Sequence, residues 1–292
     1  MSSENLPPAE VPLLLNEEEP PGAADEEKAS RLDHPAKPLE SLVDLGGAIS
    51  SGGQLSSKSQ INQQQARSVL KAMVAHLLAC CIPIVVAVPA ALNFSFFSWH
   101  PVCMSVAYAF LMTEAILMFS PESSLTPSAS RSSRVSYHMF LLLGALVSAS
   151  CGFLVIYSLH DQPGRSHFAS WHGTVGLCVF SYTCVQVSAG LFLRYGAPRI
   201  QKSLPPNLTL AKLKFYHGIS GICLFTAACG NLLLGMLSGW FQGNVHQLVR
   251  MGAMGGVGLL AAVGITELAR ILKQRTPQLE LQKHMNSAGV IS

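Results

Sequence analysis

Six apolar stretches occupy the chain from Leu70 onward, each close to the roughly 20 residues a helix needs to cross a bilayer core of about 30 Å. They run over Leu70–Leu92, His100–Phe119, Val135–Leu159, Phe168–Leu193, Leu213–Leu237 and Gln247–Leu272. Hydrocarbon offers the backbone no hydrogen-bond partner, so segments of this length satisfy their peptide groups only as helices. The prediction is an all-α, six-helix transmembrane protein in which Pro83 and Pro89 bend or loosen the first helix. Composition agrees: of 292 residues 49% are hydrophobic and 12% charged, against roughly 25% charged in a soluble domain. The cations do not cluster with aromatics on a polar frame, which speaks against a nucleic-acid binder.

The net charge of +3 averages two unlike regions. Residues 1–67 hold 11 of the 16 acids and no aromatic residue, so they read as a disordered acidic tail with too little apolar surface to offset chain entropy. Residues 68–273 form the predicted transmembrane domain and residues 274–292 a short C-terminal tail. Beyond residue 67 the chain carries 14 basic and 5 acidic residues. Nearly all its basic residues flank alternate ends of the spans, and the opposite ends hold only Arg165 and Arg250. The positive-inside rule then places both termini, the loop after span two and the loop after span four in the cytosol. Glu10-Val11-Pro12-Leu13-Leu14-Leu15 resembles the acidic dileucine signals that vesicle coat adaptors read. It points to endosomal, lysosomal or other cytoplasmic vesicle membranes, with the endoplasmic reticulum next. All eight cysteines fall inside spans and are expected to act as small apolar packers.

Ionisable groups inside a membrane are costly and mark candidate functional sites. His100, His138, His172 and His217 each lie within about two turns of the start of spans two, three, four and five. Because successive helices run in opposite directions, His100 and His172 share the non-cytosolic face, and His138 and His217 share the cytosolic one. In an up-and-down bundle of spans two to five, alternate helices face each other diagonally. Each pair can therefore present one imidazole to either side of a planar macrocycle, the two sites being roughly 20 Å apart. Gly173 and Gly218 directly follow two of the histidines and would relieve crowding there. A divalent metal or proton transporter is the alternative use of these histidines, but two ligands at each depth and few carboxylates suit it poorly. His76 has no opposite partner and reads as an interfacial or supporting residue. Glu114 is expected to pair with a basic side chain or relay protons, and Glu267 to pair with Arg270.

The motifs FSWHP (Phe97–Pro101), MTEAILMFSPESSL (Met112–Leu125), SWH (Ser170–His172), LAKLKFYH (Leu210–His217) and LLLGM (Leu232–Met236) resemble the cytochrome b561 family, and most closely its domain-containing branch of types 1 and 2. The resemblance runs from about Leu70 to Leu272. It implies two non-covalent b haems in a central four-helix bundle of spans two to five, with axial pairs His100/His172 and His138/His217. It further implies a transmembrane oxidoreductase that moves electrons from cytosolic ascorbate to monodehydroascorbate or ferric iron, and a tendency to homodimerise. Ascorbate is an anion at neutral pH, so Arg131, Arg134, Lys212 and Lys214, which flank the cytosolic histidines, are its candidate binding residues. Ascorbate-handling members carry a Tyr-Arg pair after span two, whereas this chain has Met118-Phe119-Ser120-Pro121.

Overall fold

The computed structural model describes residues 40–120, 128–161, 163–164, 166–200 and 209–287, and every one of its regular elements is helical. Six helical stretches are long and apolar enough to cross a membrane: Asn62–Leu92, Phe96–Leu117, Arg131–His160, Trp171–Ile200, Leu210–Met236 and Gln247–Lys273, here spans one to six. The protein is a multi-pass, all-α membrane protein. The dileucine-like segment Glu10–Leu15 lies outside the described residues.

Where the spans start follows from side-chain caps. The Ser130, Ser170 and Thr209 hydroxyls accept from the backbone N–H of Ser133, Gly173 and Lys212, and so satisfy donors that a helix start leaves free. Span one belongs to a continuous helix, Glu40–Leu92, which keeps both Pro83 and Pro89. That helix begins within the stretch expected to be a disordered tail. Apolar patterning finds the part that lipid requires, while polar helix formers such as Gln63, Gln64 and Gln65 extend it unseen. The last helix likewise runs on to Ser287, past the end of span six.

Spans two and four are not uniform. Span two passes from a single 3₁₀ turn through Trp99–Ser105 into a π-helical stretch, Val106–Leu111, and ends as Met112–Leu117. Span four carries a second π-helical stretch at Phe192–Gly196. There a β-carbon on Gly196 would lie 2.7 Å from the Phe192 ring, so the wider turn needs glycine. A π turn takes in one residue more than an α turn and resets which face the following residues present.

Span two packs on three, three on four, four on five, and five on two again, which closes a ring of four helices. Span six lies against span five outside this ring. Span one adds a narrow stripe of buried Ala72, Ala75, Ala79, Ile82 and Val86, with Leu78 and Ile82 meeting Gly256 of span six. Small residues suit this role, because helices in lipid associate through close van der Waals contact rather than a hydrophobic force. Of the eight cysteines, all free, only Cys229 is buried and five are exposed, so most face lipid instead of packing the interior.

Candidate functional site

The four histidines of spans two to five are placed by where their helices begin. His172 stands two residues beyond the N-cap Ser170, and His100 two residues beyond Ser98, where the 3₁₀ turn of span two passes into α-helix. His138 and His217 each stand eight residues beyond the caps Ser130 and Thr209. The equal offsets of His138 and His217 on helices of the same direction, and the contact between the His100 and His172 rings, sort the histidines into two pairs across the ring of helices. The His172 Nδ1 meets the carbonyl of Asn231, which lies fourteen residues beyond His217 on the same span. At a rise of about 1.5 Å per residue the two levels are about 21 Å apart.

Backbone carbonyls fix three of the rings. The Nδ1–H of His100 donates to the Gly152 carbonyl at 2.9 Å, that of His138 to Ala115 at 2.8 Å and that of His172 to Asn231 at 3.1 Å. Each acceptor belongs to a neighbouring span, so the contact both orients the ring and leaves the Nε2 lone pair for a ligand, the usual arrangement of a metal-binding imidazole. The His217 Nδ1 is buried and has no partner among the described residues. The His100 and His172 ring centroids lie 6.2 Å apart with planes at 80°. Two metal–nitrogen bonds of about 2 Å plus the two ring radii fill that distance. A cavity of about 390 Å³ opens beside this pair, with Tyr108, Phe180 and Asn231 on its walls.

The sequence model for eukaryotic cytochrome b561 matches residues 99–242, the segment that contains both pairs. Over 191 residues the chain is 41% identical to transmembrane reductase CYB561D2 of Bos taurus, covering 65% of this chain and 83% of the relative. The chain belongs to the eukaryotic cytochrome b561 family. It is also 36% identical to probable transmembrane reductase CYB561D1 of Mus musculus, over 59% of this chain and 73% of that one. To transmembrane ascorbate-dependent reductase CYB561 of Homo sapiens it is 32% identical, over 35% of this chain and 39% of that one. The domain-containing branch is thus where this cytochrome b561 sits. Membership carries a general transmembrane electron-transfer role and, in general terms, haem binding.

For several residues that shape the cytochrome b561 site, Gly235 and Phe119 inside its motifs among them, the motifs assign no role. The glycines that touch imidazoles are Gly190 and Gly235, each on the span beside the histidine. A β-carbon there would lie 3.2 Å from Cε1 of His217 and 3.0 Å from Cε1 of His172. Gly218 has nothing within 4 Å of such an atom, and Gly173 meets Phe168 and Ser170, so neither touches a histidine ring. The Phe119 ring stands 5.1 Å from that of His138, so Phe119, one residue of the departure after span two, lies against the site itself. Buried Gln186 donates to the His217 carbonyl at 2.7 Å and accepts from Ser220 at 3.0 Å, which stiffens span five at its histidine. Of the four candidate cations, Arg131 and Lys214 line one surface hollow with Leu210, Ala211 and Phe215. Arg134 instead donates to the Ala129 carbonyl at 3.1 Å, and Lys212 does not line the hollow.

The two acids of the spans, buried Glu114 and half-buried Glu267, divide by partner. The carboxylate of Glu114 receives the Nδ1–H of His76 across both oxygens, at 2.8 and 2.9 Å, and joins span two to span one. His76, which the sequence leaves without a partner, therefore has one. Glu267 accepts from Arg270 at 2.8 Å, as the three-residue spacing implies.

Proposed function

We propose that this cytochrome b561 is a dihaem b-type electron-transfer protein that carries electrons from cytosolic ascorbate across the membrane to monodehydroascorbate or ferric iron. The observation that supports it best is the pair of diagonal histidine couples, three of whose rings are held by Nδ1 with Nε2 left for a ligand. The donor set fits a b haem: neutral imidazoles at matched depth, spaced for one iron in the His100/His172 couple, with an apolar cavity alongside. His100 and His172 would hold one haem and His138 and His217 the other. Haem iron, when bound, supplies a one-electron carrier that cycles between ferric and ferrous forms.

The protein's own contribution is orientation, insulation and attraction of charge. Gly152, Ala115 and Asn231 carbonyls lock the rings, and the spans exclude water around them. Phe97 and Phe119 pack on His100 and His138 at 5.7 and 5.1 Å between centroids. Arg131 and Lys214 form a cationic hollow suited to an anionic reductant such as ascorbate, in keeping with the ascorbate dependence in the name of the Homo sapiens relative. The basic ends of the spans face the cytosol in this reading, with both termini there. The dileucine-like segment serves vesicle targeting.

The decisive experiment is an optical spectrum of the purified protein with and without ascorbate. A reducible b-type spectrum with two haems is expected, and His100→Ala and His172→Ala should each remove the same haem. A protein without haem, or variants with unchanged haem content, would overturn the reading.

A further inference from the structure

Arg194 stands four residues beyond Gly190 on span four, and Gly190 is where a β-carbon would lie 3.2 Å from the His217 ring. It belongs to the π-helical stretch Phe192–Gly196, a form of turn frequent at functional sites. Its guanidinium reaches across to span three and donates to the Ser136 hydroxyl at 3.2 Å. Ser136 is two residues before His138, so Arg194 meets the helix of one inner histidine and lies about a turn from the glycine that touches the other. The side chain is half-buried, and a cation held in lipid is costly without a counter-charge. The helices around it supply none: spans three, four and five contain no Asp or Glu. Among the described residues Arg194 makes no ion pair, and Glu267 of span six already serves Arg270. Its other contact, the Tyr195 ring at 6.0 Å, leaves the charge unneutralised. One N–H is spent on Ser136, and the rest of the planar fork matches a carboxylate.

We infer that Arg194 binds a propionate carboxylate of the haem held by His138 and His217. The inference rests on the haem reading above. A b haem carries two anionic propionates, which avoid hydrocarbon by pointing to the nearer end of the bundle. For this site the nearer end is that of the Ser130 and Thr209 caps, eight residues or about 12 Å away. Arg194 lies on that side, because its partner Ser136 stands between the Ser130 cap and His138. A guanidinium–carboxylate pair there neutralises both buried charges at once. It also fixes the rotation of the ring about the axis through its two imidazoles, an angle that two histidine ligands leave open. Arg131 and Lys214, which line a hollow that Arg194 does not reach, stay available for the free anionic donor.

The test combines a redox titration with resonance Raman spectra of the full-length, haem-loaded protein. Arg194→Gln should lower the midpoint potential of the His138/His217 haem, because a lost cation disfavours the form that holds the added electron. The same variant should move the propionate bending band of that haem, while the His100/His172 haem keeps its potential. Arg194→Lys keeps the charge without the fork, so it should hold the potential near that of the wild type and still move the band. Ser136→Ala, which removes the hydroxyl that steers the guanidinium, should move the band by a smaller amount, and it reads the site even where changes at position 194 prevent folding. An unchanged band in these variants overturns the inference and leaves the dihaem reading standing. So does a raised KM for ascorbate with an unchanged band, which would give Arg194 to the free donor instead. A wild-type protein lacking haem removes both readings.

Discussion

A β-carbon on Gly190 would stand 3.2 Å from His217, and one on Gly235 would stand 3.0 Å from His172, so these two positions set how closely neighbouring helices approach the rings. Valine at position 190 adds branched carbon where no space exists, at a cost of about 1–3 kcal/mol for overpacking. Gly190→Val is expected to lose the haem of the His138/His217 site and keep the other. Gly230→Ala, at a position with nothing within 4 Å, should retain both, as read from haem content per protein. Charge at Arg131 and Lys214 belongs to the same scale. Reversing both to glutamate should raise the KM for ascorbate several-fold with little change in kcat, because in the proposed function these cations attract the anionic donor and no histidine lines their hollow. An equal fall in kcat with unchanged KM would remove them from the donor site. The histidines themselves were legible in the sequence, since ionisable groups stand out in apolar spans. The contacts of Gly190, Gly235 and Phe119 with the rings were not, although the motifs contain the last two, because a small or aromatic residue in a membrane helix carries no mark of what it faces.

At the scale of elements, the site depends on where helices start. Caps at Ser130 and Thr209 put His138 and His217 eight residues into their spans, and caps or starts at Ser98 and Ser170 put His100 and His172 two residues in. Thr209→Ala should therefore cost about 1 kcal/mol and lower the Tm of detergent-solubilised protein by about 2–4 °C. The b-type spectrum expected above should be retained, because the rest of span five is held by Gln186 and by packing. Loss of haem without a change in Tm would show that the cap acts on the site directly. The six apolar runs foretold six spans to within a few residues at most ends. The π-helical stretches at Val106–Leu111 and Phe192–Gly196 were invisible, because a 3.6-residue reading has no room for an extra residue in a turn. The polar extension of the first helix was missed for a different reason: its residues favour helix without any apolar face to announce it.

For the whole molecule, an even number of spans returns the last helix to the side on which the first begins. The excess of Lys and Arg on that side predicts that both ends lie in the cytosol. Protease added outside intact vesicles carrying the protein with cytosolic side out should digest epitope tags at both termini, and protection of both tags would reverse the direction of electron flow proposed above. The amino-acid sequence by itself determined the all-helical membrane class, the number of spans, the asymmetry of charge and the four histidines at matched depths. These follow from local requirements: every backbone group in lipid must be satisfied within its own segment, and charge avoids hydrocarbon wherever it stands. Only the tertiary structure decided which helices close the ring, which carbonyls hold the imidazoles, that His76 finds Glu114 across 38 positions of sequence, and which two cations share a hollow. Those outcomes depend on contacts between separate spans, and in lipid such contacts are chosen by close packing and single polar partners that no periodicity along one helix records.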